Sequence, residues 1–215
     1  MRYKLVIFDL DGTLLDTIDD LKEAVNHAMG LRGFPTFTRD EFMAMVGHGA
    51  RNLMRQALPI GHKDDNMVDA AYNDFRTYYI THIDIHTKPF AGIQYLLANL
   101  HQEGVMLAVA SNKFQEGTEH LIKEFFPEIP FVAVLGGRPG FPLKPDPEIV
   151  NEVLRNAGVE KEDAVMIGDS DTDMETATNG GVMGIAVNWG YRDMRGVEDI
   201  TLVESPEKLQ QLLLL

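Results

Sequence analysis

Apolar residues follow two different rhythms along this chain. Short, β-rich apolar runs recur over most of its length: "YKLVIF" at 3–8, "VMLAVAS" at 105–111, "FVAVLG" at 131–136, "AVMIGD" at 164–169 and "GIAVNW" at 184–189. The first is apolar at consecutive positions, which suits a strand covered on both faces at the centre of a parallel sheet. "DITLVES", residues 199–205, reads as a short edge strand. Between these runs the apolar positions take a helical period over 91–103, 114–125, 146–157 and 171–179. "SPEKLQQLLLL" supplies a last helix, with Ser205 as N-cap and Pro206 at the first helical position. Strand–helix alternation of this kind predicts an α/β fold, a Rossmann-like parallel sheet with helices on both faces.

One stretch departs from the alternation. From Asp16 to Lys88 there is no strand pattern, and the segments 17–30, 39–46, 49–58 and 64–82 are all helical in period. This predicts a helical domain inserted after the first strand. "DIHTKPFAG" is the return linker, punctuated by Pro89 and Gly92. The expected organisation is an α/β core of residues 1–15 and 90–215 with a helical cap of residues 16–89.

Composition narrows the partners. The 215 residues are 45% hydrophobic and 24% charged, ordinary for a globular protein, but the formal net charge is −14. Such a surface repels nucleic acid and anionic lipid, so neither is an expected partner. An anionic ligand would need local positive charge, for which a metal ion is one source. There is no cysteine, which excludes disulfides and thiol catalysis and fits a cytoplasmic protein. The first apolar run breaks at Asp9, unlike a signal peptide, and no apolar stretch approaches the roughly 20 residues of a membrane span. Oligomeric state is not readable.

The informative polar groups fall where such a sheet binds ligands, outside the carboxyl ends of its strands. "DLDGT" follows the first run, "SNK" the second and "GDSDTD" the fourth, while "LKPDP" lies beyond the third. Asp9 and Asp11 are i and i+2 in an extended segment, so they point the same way into one small space. Gly12 and Thr13 begin a turn whose N–H groups could meet an anion. Clustered carboxylates suit a hard cation such as Mg²⁺, with Asp169 as a third contributor. Each residue also has a plainer reading. Asp9 and Asp11 are turn or cap residues in many chains, Ser111 could cap the helix at 114–125, and Lys144 could be a solvated lysine. Asp171 is assigned to capping the next helix, and Asp173 is divided between that helix's first turn and the site.

"FDLDGTLLDT", "SNK", "KPDP" and "GDSDTD", in this order, resemble the four motifs of the haloacid dehalogenase superfamily, and the inserted helices resemble its cap placed between the first and second motifs. The resemblance implies Mg²⁺-dependent phosphoryl transfer with an aspartate nucleophile. Asp9 would attack phosphorus and form an aspartyl-phosphate. Asp11 would protonate the leaving alcohol and later deprotonate water. Ser111 and the Asn112 backbone would bind phosphoryl oxygens, and Lys144 would offset charge on the phosphate and Asp9. The metal would be held by Asp9, the Asp11 carbonyl and Asp169, with Asp173 supporting Lys144 or metal-bound water.

The acid at position 11 implies a phosphomonoester hydrolase or a mutase, and "DGT" favours the hydrolase. "DGTLLDT", "VGHGARNLM", "SNK" and "WGYR" resemble the phosphoglycolate phosphatase branch of the family. A second anionic group on such a substrate would need a cap contact. Arg51, just inside a helix start after Gly47 and Gly49, is the candidate, against the alternative of a solvated arginine. His48 is expected at the entrance, and Trp189 as packing beside the site. The alternatives within enzymes are a phosphosugar mutase and a nucleotide or pyrophosphate phosphatase. The alternative of another class is a non-catalytic binding protein on the same fold. A cap over the site implies opening and closing about hinges near 15–17 and 87–91.

Overall fold

The computed structural model describes residues 3–198 and 200–215. Asp199, the first residue of the expected edge strand, lies outside the described residues.

Four consecutive apolar residues form β1, Leu5–Phe8, all fully buried. Because side chains alternate along a strand, Val6 and Phe8 join one apolar cluster and Leu5 and Ile7 the other. The strand is therefore covered on both faces. It pairs in parallel with β4, Met106–Phe114, on one side and with β6, Ala164–Gly168, on the other. Next to β4 lies β5, Ala133–Gly137. Next to β6 come β7, Met183–Val187, and β8, Thr201–Val203. The sheet order is β5-β4-β1-β6-β7-β8, parallel throughout, as the doubly covered pattern requires. "DITLVES" thus does yield an edge strand, over 201–203.

Helices α5, Ile93–Gln102, and α9, Pro206–Leu214, contribute to the cluster around Val6 and Phe8. Helices α7, Glu148–Ala157, and α8, Asp171–Gly180, contribute to the cluster around Leu5 and Ile7. Helix α6, Gln115–Phe125, packs on β4 and β5. Ser205 does cap α9, accepting from the Lys208 N–H, with Pro206 at the start of the helix.

Between β1 and β4 the chain builds helices α1, Ile18–Gly30; α2, Arg39–Met43; α3, Ala50–Ala57; and α4, Asp65–Tyr79. They pack mainly on one another through α1 against α4 and α3 against α4. Two short strands flank them: β2, Leu15–Asp16, and β3, Lys88–Pro89, pair antiparallel. The two segments read as separate hinges are thus joined in one ribbon, which no apolar pattern announced. Buried Asp20 of α1 reinforces it, accepting from the His86 N–H at 2.9 Å, the Thr87 N–H at 2.8 Å and the Thr87 hydroxyl at 2.7 Å.

Candidate active site

The loop after β1 turns tightly around one carbonyl: the N–H groups of Thr13, Leu14 and Leu15 all donate to Leu10 O, and the Gly12 N–H donates to Leu15 O. The N–H groups of Gly12 and Thr13 are therefore spent inside the turn. This corrects the expectation that they face an anion. Gly12 serves another purpose. Its φ of +88° is one that side chains resist, and a Cβ there would run into the Asp169 carboxylate. Gly190 is similarly constrained against Gly12 O and Asp169. The buried Thr13 hydroxyl has no hydrogen-bond partner among the described residues, and Trp189 Nε1 donates to Thr13 O at 3.0 Å.

Asp9, Asp11, Ser111, Asn112, Lys144, Asp169 and Asp173 line one cavity. Strands β1, β4 and β6 are neighbours, so their ends bring the first, second and fourth motifs together. Lys144 arrives from the loop after β5. Its backbone N–H donates to Asn112 Oδ1 at 2.8 Å, and its carbonyl accepts from Asn112 Nδ2 at 3.1 Å. Asn112 thus acts through its side chain as the clasp between two motif loops. Its amide also donates to Gly47 O, at 3.0 Å, in the loop before α3.

Lys144 Nζ is 2.8 Å from Asp9 Oδ1 and 2.6 Å from Asp173 Oδ1, with its side chain only 2% exposed. Burial lowers its pKa, but the charges of Asp173 and Asp9 outweigh that and raise it above the ordinary lysine value. Asp173 Oδ2 accepts from the Ser170 hydroxyl at 2.6 Å within the capping box of α8. Ser170, not Asp171, is the N-cap: Asp171 is already the first helical residue and is exposed. One aspartate therefore closes the helix start and holds the lysine. Ser111 lies within β4 and caps nothing, since the residue before α6 is Phe114. Its hydroxyl accepts from the Lys113 N–H at 3.2 Å.

Carboxylate oxygens of Asp9, Asp169 and Asp173 lie within 4.8 Å of one another, all three residues buried. Burial pushes the Asp9 carboxyl up to about 7, with the Lys144 charge opposing and Asp173 reinforcing. Burial, then the charges of Asp173 and Asp9, hold Asp169 well above the usual carboxylate range. Across the cavity the four carboxylates, Asp11 included, face two ammonium groups, Lys113 and Lys144. With the Arg192 guanidinium also lining the cavity, the carboxylates still outnumber the cations, and the cluster of Asp9 and Asp169 oxygens is suited to one divalent cation with oxygen ligands. Asp169 is oriented for the task by the Tyr191 N–H, which donates to Oδ2 at 2.7 Å.

Arg51 does not reach the cavity. Two acids on α4 hold it instead: its guanidinium pairs with Asp65 at 3.0 Å and Asp69 at 2.7 Å, bracing α3 against α4 on the exposed side. His48 is exposed and lies 3.3 Å from the Thr172 hydroxyl. Two cations absent from the sequence-based set line the cavity. Lys113 Nζ donates to both oxygens of Asp11 at 3.0 Å, and Arg192 donates to the carbonyls of Ala44 and Val46. Lys113 follows Ser111 by two positions in an extended strand, so the spacing that flagged Asp9 and Asp11 would have flagged it too. Tyr79, at the end of α4, also lines the cavity. It ends an apolar helix face, and nothing in the pattern separates it from core.

The family model for haloacid dehalogenase-like hydrolases matches residues 6–187. The chain belongs to that family. Phosphoglycolate phosphatase of Mesorhizobium japonicum is 32% identical over 198 residues, covering 90% of this chain and 86% of its own. That of Aquifex aeolicus is 30% identical over 211 residues, covering 98% and 96%. A solved structure from Lactobacillus delbrueckii subsp. bulgaricus, provisionally assigned as a phosphoglycolate phosphatase, superposes with a TM-score of 0.93 at 34% identity and 99% coverage of both chains. Within the haloacid dehalogenase-like hydrolases this chain is thus of the phosphoglycolate phosphatase-like kind, an enzyme of the phosphoric monoester hydrolase class. Among the described residues no helix is long and apolar enough to cross a membrane.

Proposed function

We propose that this hydrolase is Mg²⁺-dependent, works through an aspartyl-phosphate on Asp9, and acts on small phosphate monoesters of which phosphoglycolate is the leading candidate. The observation that carries this reading is the placement of Asp9: buried, 2.8 Å from Lys144 Nζ, and clustered with Asp169. Asp9, Asp169 and the carbonyl of Asp11 are the proposed holders of Mg²⁺; Asp173 is already engaged by Lys144 and Ser170. A bound Mg²⁺ would neutralise charge on Asp9 and the phosphoryl oxygens, so that an anionic ester can approach a carboxylate.

In the proposed sequence an Asp9 oxygen attacks phosphorus and the P–O bond to the alcohol breaks. Asp11 gives its proton to the departing oxygen. Asp11 then removes a proton from water, which attacks phosphorus and frees phosphate, restoring Asp9. Lys144 and the Ser111 hydroxyl offset charge on the transferring group. Helices α1–α4 are proposed as the cap. They contribute mostly apolar wall to the cavity, including Leu21, Leu53 and Phe75, which suits a short leaving group better than a polyhydroxylated sugar.

The test is hydrolysis of a chromogenic aryl phosphate and of phosphoglycolate in Mg²⁺ and in EDTA, with acid-quenched protein analysed for phosphate on Asp9. Turnover should need Mg²⁺ and should trap phosphate on Asp9. Turnover unaffected by EDTA, or phosphate absent from Asp9 under conditions that preserve acyl phosphates, would sink the mechanism. Other small esters preferred by kcat/KM would displace phosphoglycolate alone.

A further inference from the structure

The proposed substrate carries a second anionic group, and the cation expected to meet it, Arg51, is turned away. Of the cations that line the cavity, Lys144 is held between Asp9 and Asp173, and Arg192 is engaged with two backbone carbonyls. Lys113 remains. Its side chain is 2% exposed, its Nζ sits 3.0 Å from both Asp11 oxygens, and it lies 4.8 Å above the centre of the Tyr79 ring. The Tyr79 hydroxyl is buried and has no hydrogen-bond partner among the described residues. A buried, unpartnered hydroxyl is costly unless something meets it. Here it belongs to a residue lining the cavity, beside an ammonium ion.

We infer that Lys113 and Tyr79 form the subsite for a carboxylate on the leaving group. This rests on the reading above, in which Asp11 reaches the ester oxygen. Lys113 is one hydrogen bond from Asp11, so a carboxylate on Lys113 and an ester oxygen on Asp11 are joined by three hydrogen bonds, about 9 Å of path at most and less across the cavity they share. A carboxylate one or two carbons from the ester oxygen fits within that limit; an anion at the far end of a long chain does not. The subsite therefore favours short carboxylated phosphate esters. The carboxylate accepts from the Tyr79 O–H and from Lys113 Nζ, and the apolar cap residues exclude water around the pair.

The experiment compares phosphoglycolate with ethyl phosphate, in which methyl replaces the carboxylate, using Mg²⁺-loaded full-length enzyme. Wild type should favour phosphoglycolate in kcat/KM by about 10- to 100-fold, the range for a hydrogen bond to a charged group. Tyr79→Phe and Lys113→Met should each lower that ratio about tenfold or more, the Tyr79→Phe loss lying mainly in KM. No preference in wild type, or an unchanged ratio in both variants, overturns the inference and leaves the phosphatase reading standing. Were Lys113→Met not to fold, Tyr79→Phe and the wild-type pair decide it. Should neither ester turn over while a chromogenic aryl phosphate does, phosphoglycolate fails as the substrate. Calorimetric binding of 3-phosphonopropionate against propylphosphonate then still reads the subsite: tighter binding of the carboxylate supports it, equal binding refutes it.

Discussion

Asp9 combines two demands that pull against each other. As the proposed nucleophile it must be ionised, yet burial has moved its carboxyl from 3.8 up to about 7. A raised carboxyl means that the folded state binds more protons than the unfolded one between those two values. Its contribution to stability is thus lost as pH rises through about 7. Asp9→Asn is therefore expected to abolish turnover, by at least about 10³-fold, while raising the melting temperature of the metal-free protein at pH 8 by about 2–5 °C. A variant less stable than wild type in EDTA at that pH would show that Asp9 is held ionised without cost. Gly12→Ala should act on the same cluster from behind, because its Cβ would displace the Asp169 carboxylate. The expected outcome is an Mg²⁺ requirement raised about 10- to 100-fold, measured as the metal concentration giving half-maximal rate. Much of this site was legible residue by residue: Asp9, Asp11, Ser111 and Asp169 stand in or just beyond the carboxyl-terminal part of a strand, where side-chain alternation and sheet order leave few directions to point, and Lys144, in the loop after β5, was legible from its motif alone. Arg51 was not legible. Whether an arginine meets substrate or Asp65 and Asp69 depends on how α4 packs on α3, and local spacing carries no information about that.

At the scale of elements, the strands were readable because a doubly covered parallel strand has no polar face to confuse its pattern, as in β1. The β2–β3 ribbon was not. Two residues per strand, one of them Pro89, give no periodicity to read, and their pairing is enforced from outside by Asp20 and by Tyr191. The Tyr191 hydroxyl accepts from the Thr17 N–H at 2.7 Å, tying the loop after β7 to the start of α1. The same loop holds Asp169 through the Tyr191 N–H, so the orientation of this proposed metal ligand and the root of the helical segment share one residue. Arg192, next in sequence, reaches the carbonyls of Ala44 and Val46 and fastens the loop before α3 over the cavity. Arg192→Ala should free that loop while leaving the reacting groups in place. KM is expected to rise about 3- to 10-fold with a smaller change in kcat, and proteolytic nicking near 44–49 should quicken. An unchanged KM together with unchanged nicking would mean that Asn112 alone, through its bond to Gly47 O, keeps the loop seated.

Over the whole molecule, acidity is general, with a net charge of −14, but its consequences concentrate at one place. Surface carboxylates are solvated or paired, as Asp65 is with Arg51 and Arg55. The buried ones face too few ammonium groups. Asp9 and Asp169 are both shifted upward by burial first and by neighbouring carboxylates after it. Metal-free protein should therefore lose stability as pH rises from about 4 toward 7 and above, since the unfolded chain releases these protons earlier. Mg²⁺ competes with protons for the same oxygens, so its stabilisation must grow over the same window. A metal in 100-fold excess over its Kd adds about 2.7 kcal/mol. For a chain of this length that is worth about 5–10 °C in melting temperature. The shift between EDTA and Mg²⁺ is thus expected to be near zero at pH 5 and about 5–10 °C at pH 8. It should vanish at both values in Asp169→Asn, which removes a carboxylate from the cluster. A shift of equal size at pH 5 and pH 8, or one that survives in Asp169→Asn, would place the ion elsewhere on the acidic surface and leave the excess of carboxylates in the cavity without a counterion.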